Sequence, residues 1–206
     1  MDNLTGSSPT WLTILSQDEI MANIIQNGKE IEHQPHEDIY LSLLSSIISQ
    51  QLSTKVARVI KNRFLDLFPE RYPEPLLVAA QPDEVLRSVG LSFQKLGYIR
   101  NVAAFAQAGQ LQYNIIAALD NEALIKHLTQ IKGVGRWTAE MILMFTLARP
   151  DVFPVDDLGI QNAMKKSYHL SHTGKVLQAE MIRLAEAWRP YRTLACRYLW
   201  QSLDNT

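Results

Sequence analysis

Gly133-Val134-Gly135 is the stretch that most restricts what this chain can become. Before it, Leu124, Ile125, Leu128 and Ile131 recur at helical spacing; after it, Trp137, Met141, Ile142 and Phe145 do the same. The pattern predicts helix, glycine hairpin, helix. Two glycines around one small apolar residue permit a turn with positive φ and let a visitor approach the backbone without meeting a Cβ. At the start of the second helix, unpaired N–H groups and the positive end of the dipole point the same way, so an anion suits the place. Pro150, Pro154 and the adjacent carboxylates Asp156-Asp157 follow, just before another helical pattern.

The remaining chain also reads as helices. Trp11, Leu12, Leu15, Ile20, Ile24 and Ile25 form one helical stripe from near Thr10 to a stop at Asn27-Gly28, after a frayed polar start over 1–9. Ile39, Leu43, Leu44, Ile47 and Ile48 form the next, and Ser49-Gln50-Gln51-Leu52-Ser53-Thr54 interrupts it before Val56 to Phe68 resumes, with Ser53 or Thr54 as cap. Short helices begin near Pro75 and Pro82 and end at Gly90. Ser92 caps a helix from Phe93 to Ala108, and further helices are expected over 157–168, 174–187 and 190–202. No segment alternates convincingly as a strand, and the fold class is all-α.

Composition sets bounds on function. With 206 residues, 47% of them hydrophobic, the chain can bury a sizeable core as one domain or two small lobes. It carries no apolar run long enough for a bilayer and no signal-peptide pattern at its start, so no membrane role and a cytosolic, bacterial nucleoid or nuclear location are expected. The single Cys196 excludes an internal disulfide and a four-cysteine iron–sulfur cluster. His33-Gln34-Pro35-His36 lacks a third ligand nearby and reads as exposed loop, not a metal site. A formal net charge of −1 gives no global attraction to a polyanion, but the charges are segregated. Asp18, Glu19, Glu30, Glu32, Glu37 and Asp38 face only Lys29 in one segment. Lys55, Arg58, Lys61 and Arg63 run without an acid until Asp66, and the bland reading of such clusters is a solvated helix face.

The run Ile131-Lys132-Gly133-Val134-Gly135-Arg136-Trp137-Thr138-Ala139, followed by Val152-Phe153-Pro154-Val155-Asp156-Asp157, closely resembles the helix-hairpin-helix DNA glycosylase superfamily. Within it the likeness is to the 3-methyladenine DNA glycosylase II group, which removes alkylated purines. Ile48-Ser49-Gln50-Gln51-Leu52-Ser53 and Trp188-Arg189-Pro190-Tyr191-Arg192 agree, so the resemblance covers most of residues 38 to 200. It implies a two-lobed fold with a cleft: a central lobe over 38–149, containing the helix-hairpin-helix near 120–148, and a second lobe joining 1–37 to 150–206. It implies no iron–sulfur cluster and no N-terminal β domain. The implied partner is double-stranded DNA carrying alkylated bases, met by a monomer that requires no cofactor.

Site residues follow from the same resemblance. Backbone N–H groups around Gly133, Val134, Gly135 and Trp137 would hold a DNA phosphate, with Lys132 and Arg136 adding charge. Carbonyls of Thr129, Ile131 and Val134 would hold a structural Na+ or K+. Gln51, with Ser53 close by, would approach the minor groove, although Gln50 and Gln51 also suit an ordinary polar corner. Phe93 stands where the family places an apolar wedge, and equally where a first-turn aromatic packs as a staple. Trp137, Trp200, Tyr191 and Tyr40 are candidate walls for an extruded base, held by stacking and cation–π attraction.

The aspartate pair carries the chemistry. A carboxylate at a helix N-terminus is stabilised as the anion by the dipole and nearby N–H groups. It suits stabilising an oxocarbenium-like sugar and orienting water, and an alkylated purine is already a cationic leaving group. Alignment on Pro-Val-Asp favours Asp156 as catalyst and alignment on Ile160 favours Asp157; the expectation taken is Asp157 catalytic, with Asp156 as cap and orienter. Trp137 occupies the position of the lysine that forms a Schiff base in strand-cutting relatives, so a monofunctional hydrolase is implied. Other lesion classes, or a silent DNA-binding module, are the alternatives.

Overall fold

The computed structural model describes residues 10–31, 35 and 38–204. In chain order its α-helices are α1 (Thr10–Leu15), α2 (Glu19–Asn27), α3 (Ile39–Ser49), α4 (Thr54–Leu65), α5 (Pro75–Ala80), α6 (Asp83–Ser88) and α7 (Phe93–Gln107). They continue as α8 (Tyr113–Ala118), α9 (Asn121–Leu128), α10 (Arg136–Met141), α11 (Leu158–Tyr168), α12 (Gly174–Ala185) and α13 (Arg192–Asp204). No strand occurs among the described residues, so the fold is all-α. The chain divides into two compact units, Met1–His33 with Arg149–Thr206, and Gln34–Ala148. The histidine loop reading and the frayed start lie outside the described residues, Pro35 excepted.

The unit spanning Gln34–Ala148 is built on α3 and α7. Leu43, Leu44, Ile47 and Ile48 of α3 and Ile99, Val102 and Ala103 of α7 are all 1% exposed or less. Each such Leu, Ile or Val side chain removed from water contributes about 1.5–3 kcal/mol before entropy is counted. Caps mark the entries that the sequence signals: Ser53 Oγ accepts from the Val56 N–H at 3.4 Å, Ser92 Oγ from Lys95 at 3.2 Å, and Asp120 Oδ1 from Ala123 at 2.8 Å. The helix expected to run through Phe145 changes character at Ile142. Residues Ile142–Thr146 form a π-turn, closed by the Leu147 N–H donating to the Ile142 carbonyl at 3.0 Å, and Ala148 at φ 48° ends it.

In the other unit, the single first helix expected from the apolar stripe is broken between α1 and α2. Asp18 is the cause. Its Oδ1 accepts from the N–H groups of Ile20 and Met21, capping α2, while Oδ2 accepts from Tyr168 Oη at 2.7 Å and Trp188 Nε1 at 3.0 Å. Trp188 is fully buried, edge-on to Phe153, so this carboxylate joins three separated segments. Burial, reinforced by Asp18, raises the Tyr168 phenol well above its ordinary range. Around it α11 packs on α13 and α13 on α2, with Met21, Met164, Met181, Cys196 and Leu199 inaccessible to solvent. The last helix starts at Arg192, two residues later than expected.

Candidate active site

Within the unit spanning Gln34–Ala148, three segments converge on one concavity: the corner at Gln50-Gln51, the start of α7 at Ser92 to Tyr98, and the hairpin Gly133-Val134-Gly135. Gly133 has φ +107°, and a Cβ there would lie 2.3 Å from Tyr98 Cγ, so glycine is needed for both the turn and the close ring. Gly135 differs. It is the N-cap of α10 with ordinary extended dihedrals, and an added Cβ would meet nothing within 4 Å, so its backbone is open to an outside group. Val134 and Ile131 are buried and anchor the turn from below.

The hairpin is braced through its carbonyls. Gln50 Nε2 donates to the Gly133 carbonyl at 3.2 Å and Asn101 Nδ2 to the Lys132 carbonyl at 3.1 Å. Lys95 Nζ donates to the carbonyls of Ile48 and Gln50 at 2.8 and 2.7 Å, closing the C-terminus of α3, and partial burial lowers its pKa. Lys95, Tyr98 and Asn101 lie at the spacing of one helix face on α7, a signal that periodicity offers but that does not say what the face touches. Gln50 therefore serves the hairpin. Its neighbour Gln51 is exposed with φ 58°, a strained position for a non-glycine residue, and Ser53 caps α4 beside it.

Lys132 is exposed at the turn, but Arg136 is committed elsewhere. Its guanidinium donates to both Glu122 oxygens at 2.6 and 3.1 Å and to Glu140 Oε1 at 3.0 Å. Hydrogen bonds from Arg136 hold the Glu122 carboxyl below its usual range. Arg136 thus ties α10 to α9 and carries far less net charge toward an anion than its position alone suggests. Trp137, in the first turn of α10, is 45% exposed. Phe93 is 65% exposed with the Arg87 guanidinium 3.7 Å from its ring centroid, so it is not packed as a helix staple.

Tyr40 departs from its expected place in a base pocket. It is 6% exposed, its hydroxyl donates to the Pro73 carbonyl at 2.8 Å, and its ring tilts against Tyr72. Burial raises its phenol pKa. It is a core residue because the apolar face of α3 points inward at that position.

In the other unit, the aspartate pair is sorted differently from the expectation. Asp157, not Asp156, caps α11: its Oδ1 accepts from the Ile160 N–H at 2.8 Å. The same oxygen accepts from Trp200 Nε1 at 2.8 Å. Asp156 is exposed and its Oδ1 accepts from Gln178 Nε2 at 2.7 Å, so it has no capping role. Trp200 can reach Asp157 because residue 159 is glycine: a Cβ there would stand 2.9 Å from Trp200 Cδ1 and Nε1 and 3.0 Å from Asp157 Oδ1. Trp200 accordingly orients the carboxylate. Tyr191 is half-buried in the turn before α13, its N–H donating to the Trp188 carbonyl at 2.7 Å.

Upstream, the loop leading to the aspartates is fastened to the start of α13. The Thr193 hydroxyl donates to the Arg149 carbonyl at 2.6 Å and accepts from the Val152 N–H at 3.0 Å, and Asp151 pairs with both Arg189 and Arg192 at 2.5 Å. Gln161 Nε2 donates to the Val155 carbonyl at 3.0 Å. The carboxylate thus stands on a loop whose backbone is held at both ends.

Alanine in place of Gly133 combines an unfavourable positive φ with a clash against Tyr98, so Gly133→Ala is expected to cost about 2–4 kcal/mol. The melting temperature should fall by roughly 5–15 °C on that basis, read by circular dichroism. Gly135→Ala, with open space and φ −91°, should melt close to wild type.

A family model described as "HhH-GPD superfamily base excision DNA repair protein" matches residues 44–190. A Schizosaccharomyces pombe protein named DNA-3-methyladenine glycosylase 1 is 33% identical over 202 residues, 97% of this chain and 85% of that protein. Among solved structures, the S. pombe 3-methyladenine DNA glycosylase in complex with abasic DNA superposes with a TM-score of 0.82 at 30% identity, covering 95% of this chain and 97% of the other. A DNA-3-methyladenine glycosidase from Bacillus halodurans gives 0.81 at 35% identity, covering 98% and 92%.

Proposed function

Because this chain belongs to the HhH-GPD superfamily of base excision DNA repair proteins, we propose that it is a monofunctional DNA glycosylase that hydrolyses the N-glycosidic bond of alkylated purines. Similarity to proteins named for 3-methyladenine, across nearly the whole chain, supports the substrate class. The observation that carries the reading is Asp157: a carboxylate at the head of α11, with Oδ1 held by the Ile160 N–H and Trp200 Nε1. A carboxylate fixed in this way is preorganised to stabilise positive charge developing on the sugar and to orient the attacking water. A purine methylated at N3 or N7 leaves without further protonation. No strong general acid is therefore required.

Double-stranded DNA is the partner, and the similarity to a relative solved with abasic DNA supports this. Exposed N–H groups at Gly135 and the first turn of α10 suit a phosphate. A structural Na+ or K+ would sit against the carbonyls of Thr129, Ile131 and Val134. Thr129 is the C-cap of α9, where orphan carbonyls seek a partner, and the Ile131 carbonyl, which accepts from Val134 at 2.9 Å, keeps a second lone pair. Trp137 remains a candidate aromatic face for an extruded base. The protein would act as a monomer, and among the described residues no helix is long and apolar enough to cross a membrane.

The test is release of free base from methylated duplex DNA, resolving 3-methyladenine from 7-methylguanine. Release of either supports the reading. No release from methylated DNA, with excision of an etheno, deaminated or oxidised base, would replace the substrate class; binding without any release would leave a silent DNA-binding module.

Phe93 supplies a further expectation. As a wedge it would fill the gap left by an extruded base, and its solvent exposure means its loss costs little stability. Phe93→Ala should lower release from a paired lesion on the order of 10-fold, about 1.4 kcal/mol in the barrier. From an unpaired lesion, where extrusion is cheaper, the effect should be smaller.

A further inference from the structure

We propose that the outward face of α4 is a second contact surface for DNA, a track for backbone phosphates that continues from the Gln51 corner along Lys55, Arg58 and Arg63. The inference rests on the function proposed above and adds a surface to it.

The observation is a set of cations that the protein leaves unused. From Gln50 to Leu65 there is no acidic residue, and Lys55, Arg58 and Arg63 are exposed. Among the described residues the side chains of these three make no ion pair and no hydrogen bond. Several other cations of the same unit are engaged: Arg136 with Glu122 and Glu140, Arg100 with Asp83, Arg71 with Asp66, and Lys95 with the carbonyls of Ile48 and Gln50. Arg87 lies over Phe93.

The placement also opposes helix stability. Lys55 lies in the first turn of α4, where the dipole disfavours a cation, and no first-turn acid compensates. Lys55 and Arg58 are one turn apart, and like charges at that spacing repel. An external polyanion relieves both costs. The buried face of α4 is set by Ala57 and Phe64, so these side chains point away from the core. Val56 and Val59, at 45% and 42% exposure, interleave with them and offer apolar contact to sugars. The helix begins at Thr54, directly after the corner whose Gln50 and Gln51 line the same concavity as the hairpin, so a duplex held there runs onto it.

The experiment is the salt dependence of affinity for an undamaged duplex, followed by fluorescence anisotropy between about 50 and 200 mM salt. Wild type is compared with Lys55→Gln/Arg58→Gln and with Lys175→Gln/Arg183→Gln, an equal charge change on α12. Loss of two phosphate contacts should flatten the slope of log K against log salt by about 1.8 for the α4 pair. The α12 pair should keep the wild-type slope. Equal flattening by both pairs, or none by the α4 pair, overturns the inference while leaving the glycosylase reading intact. Flattening on duplex RNA but not on DNA would also overturn it. Failure of wild type to bind any duplex would overturn both. Circular dichroism melting should show all variants folded, since each side chain is exposed.

Discussion

Asp157→Asn should lower base release at saturating DNA by about 10²–10⁴-fold, the range spanned by loss of a positioned catalytic base or a preorganised electrostatic contact. The substitution is informative because of what it preserves. The Oδ1 of asparagine still accepts from the Ile160 N–H and from Trp200 Nε1, and asparagine caps a helix about as well as aspartate. Stability should therefore stay within about 0.5 kcal/mol of wild type. DNA affinity should change little or rise, since a negative charge is removed near a polyanion. Lost activity with an unchanged melt isolates the charge itself. Asp157→Ala, by contrast, removes the cap and leaves the indole N–H without its acceptor, and should cost about 1–3 kcal/mol as well. Asp156→Asn should keep near-normal release, because among the described residues its exposed carboxylate accepts only from Gln178 and an amide oxygen can accept the same bond. If only the Asp156 variant loses activity, the two roles are reversed.

The pair also shows what the sequence holds and what it withholds. Adjacent aspartates before a helical pattern announce a cap, and one oxygen of one of them does cap. The expectation that Asp156 is the cap failed, because Asp157 holds the start of α11; a carboxylate has two oxygens and several lone pairs, so a capping aspartate that also accepts from an indole keeps capacity for the catalytic role proposed for it. Local chemistry was legible where one residue and its near neighbours decide the outcome. The hairpin at Gly133, the caps Ser53 and Ser92 and the helix breaks at the prolines are of that kind. Contacts between distant segments were not. Asp18 breaks a helix that its apolar stripe makes continuous, because Tyr168 and Trp188 arrive from 150 and 170 residues away, a tertiary demand overriding a local period. Tyr40 reads equally as pocket wall or core until the Pro73 carbonyl appears beside its hydroxyl. Lys95 carried no recognisable motif, since its partners are backbone carbonyls that every sequence possesses.

Gly159→Ala should separate stability from activity. The residue is in the first turn of α11 with no positive φ, so on helix propensity alone alanine stabilises by at most about 0.8–1.0 kcal/mol, the helix-interior value. The added methyl, however, would stand 2.9 Å from Trp200 Nε1 and 3.0 Å from Asp157 Oδ1, on top of the hydrogen bond that joins them. An indole is rigid, so the ring must withdraw or the carboxylate must turn. Overpacking of this kind costs about 1–3 kcal/mol, which largely cancels the helix gain and leaves the melting temperature within a few degrees of wild type. Catalysis has no such compensation: a displacement approaching 1 Å at a reacting group is worth about 10²-fold. Base release at saturating DNA should fall by roughly 10–10²-fold, with affinity within a few-fold. Trp200→Phe, which removes the donor, should lose a similar factor. Gly159→Ala/Trp200→Phe should be scarcely worse than either single variant, since both destroy the same contact and their effects cannot add. Full additivity would mean that Trp200 acts through something other than Asp157, with the aromatic face itself, stacked on an extruded base, the property to examine next.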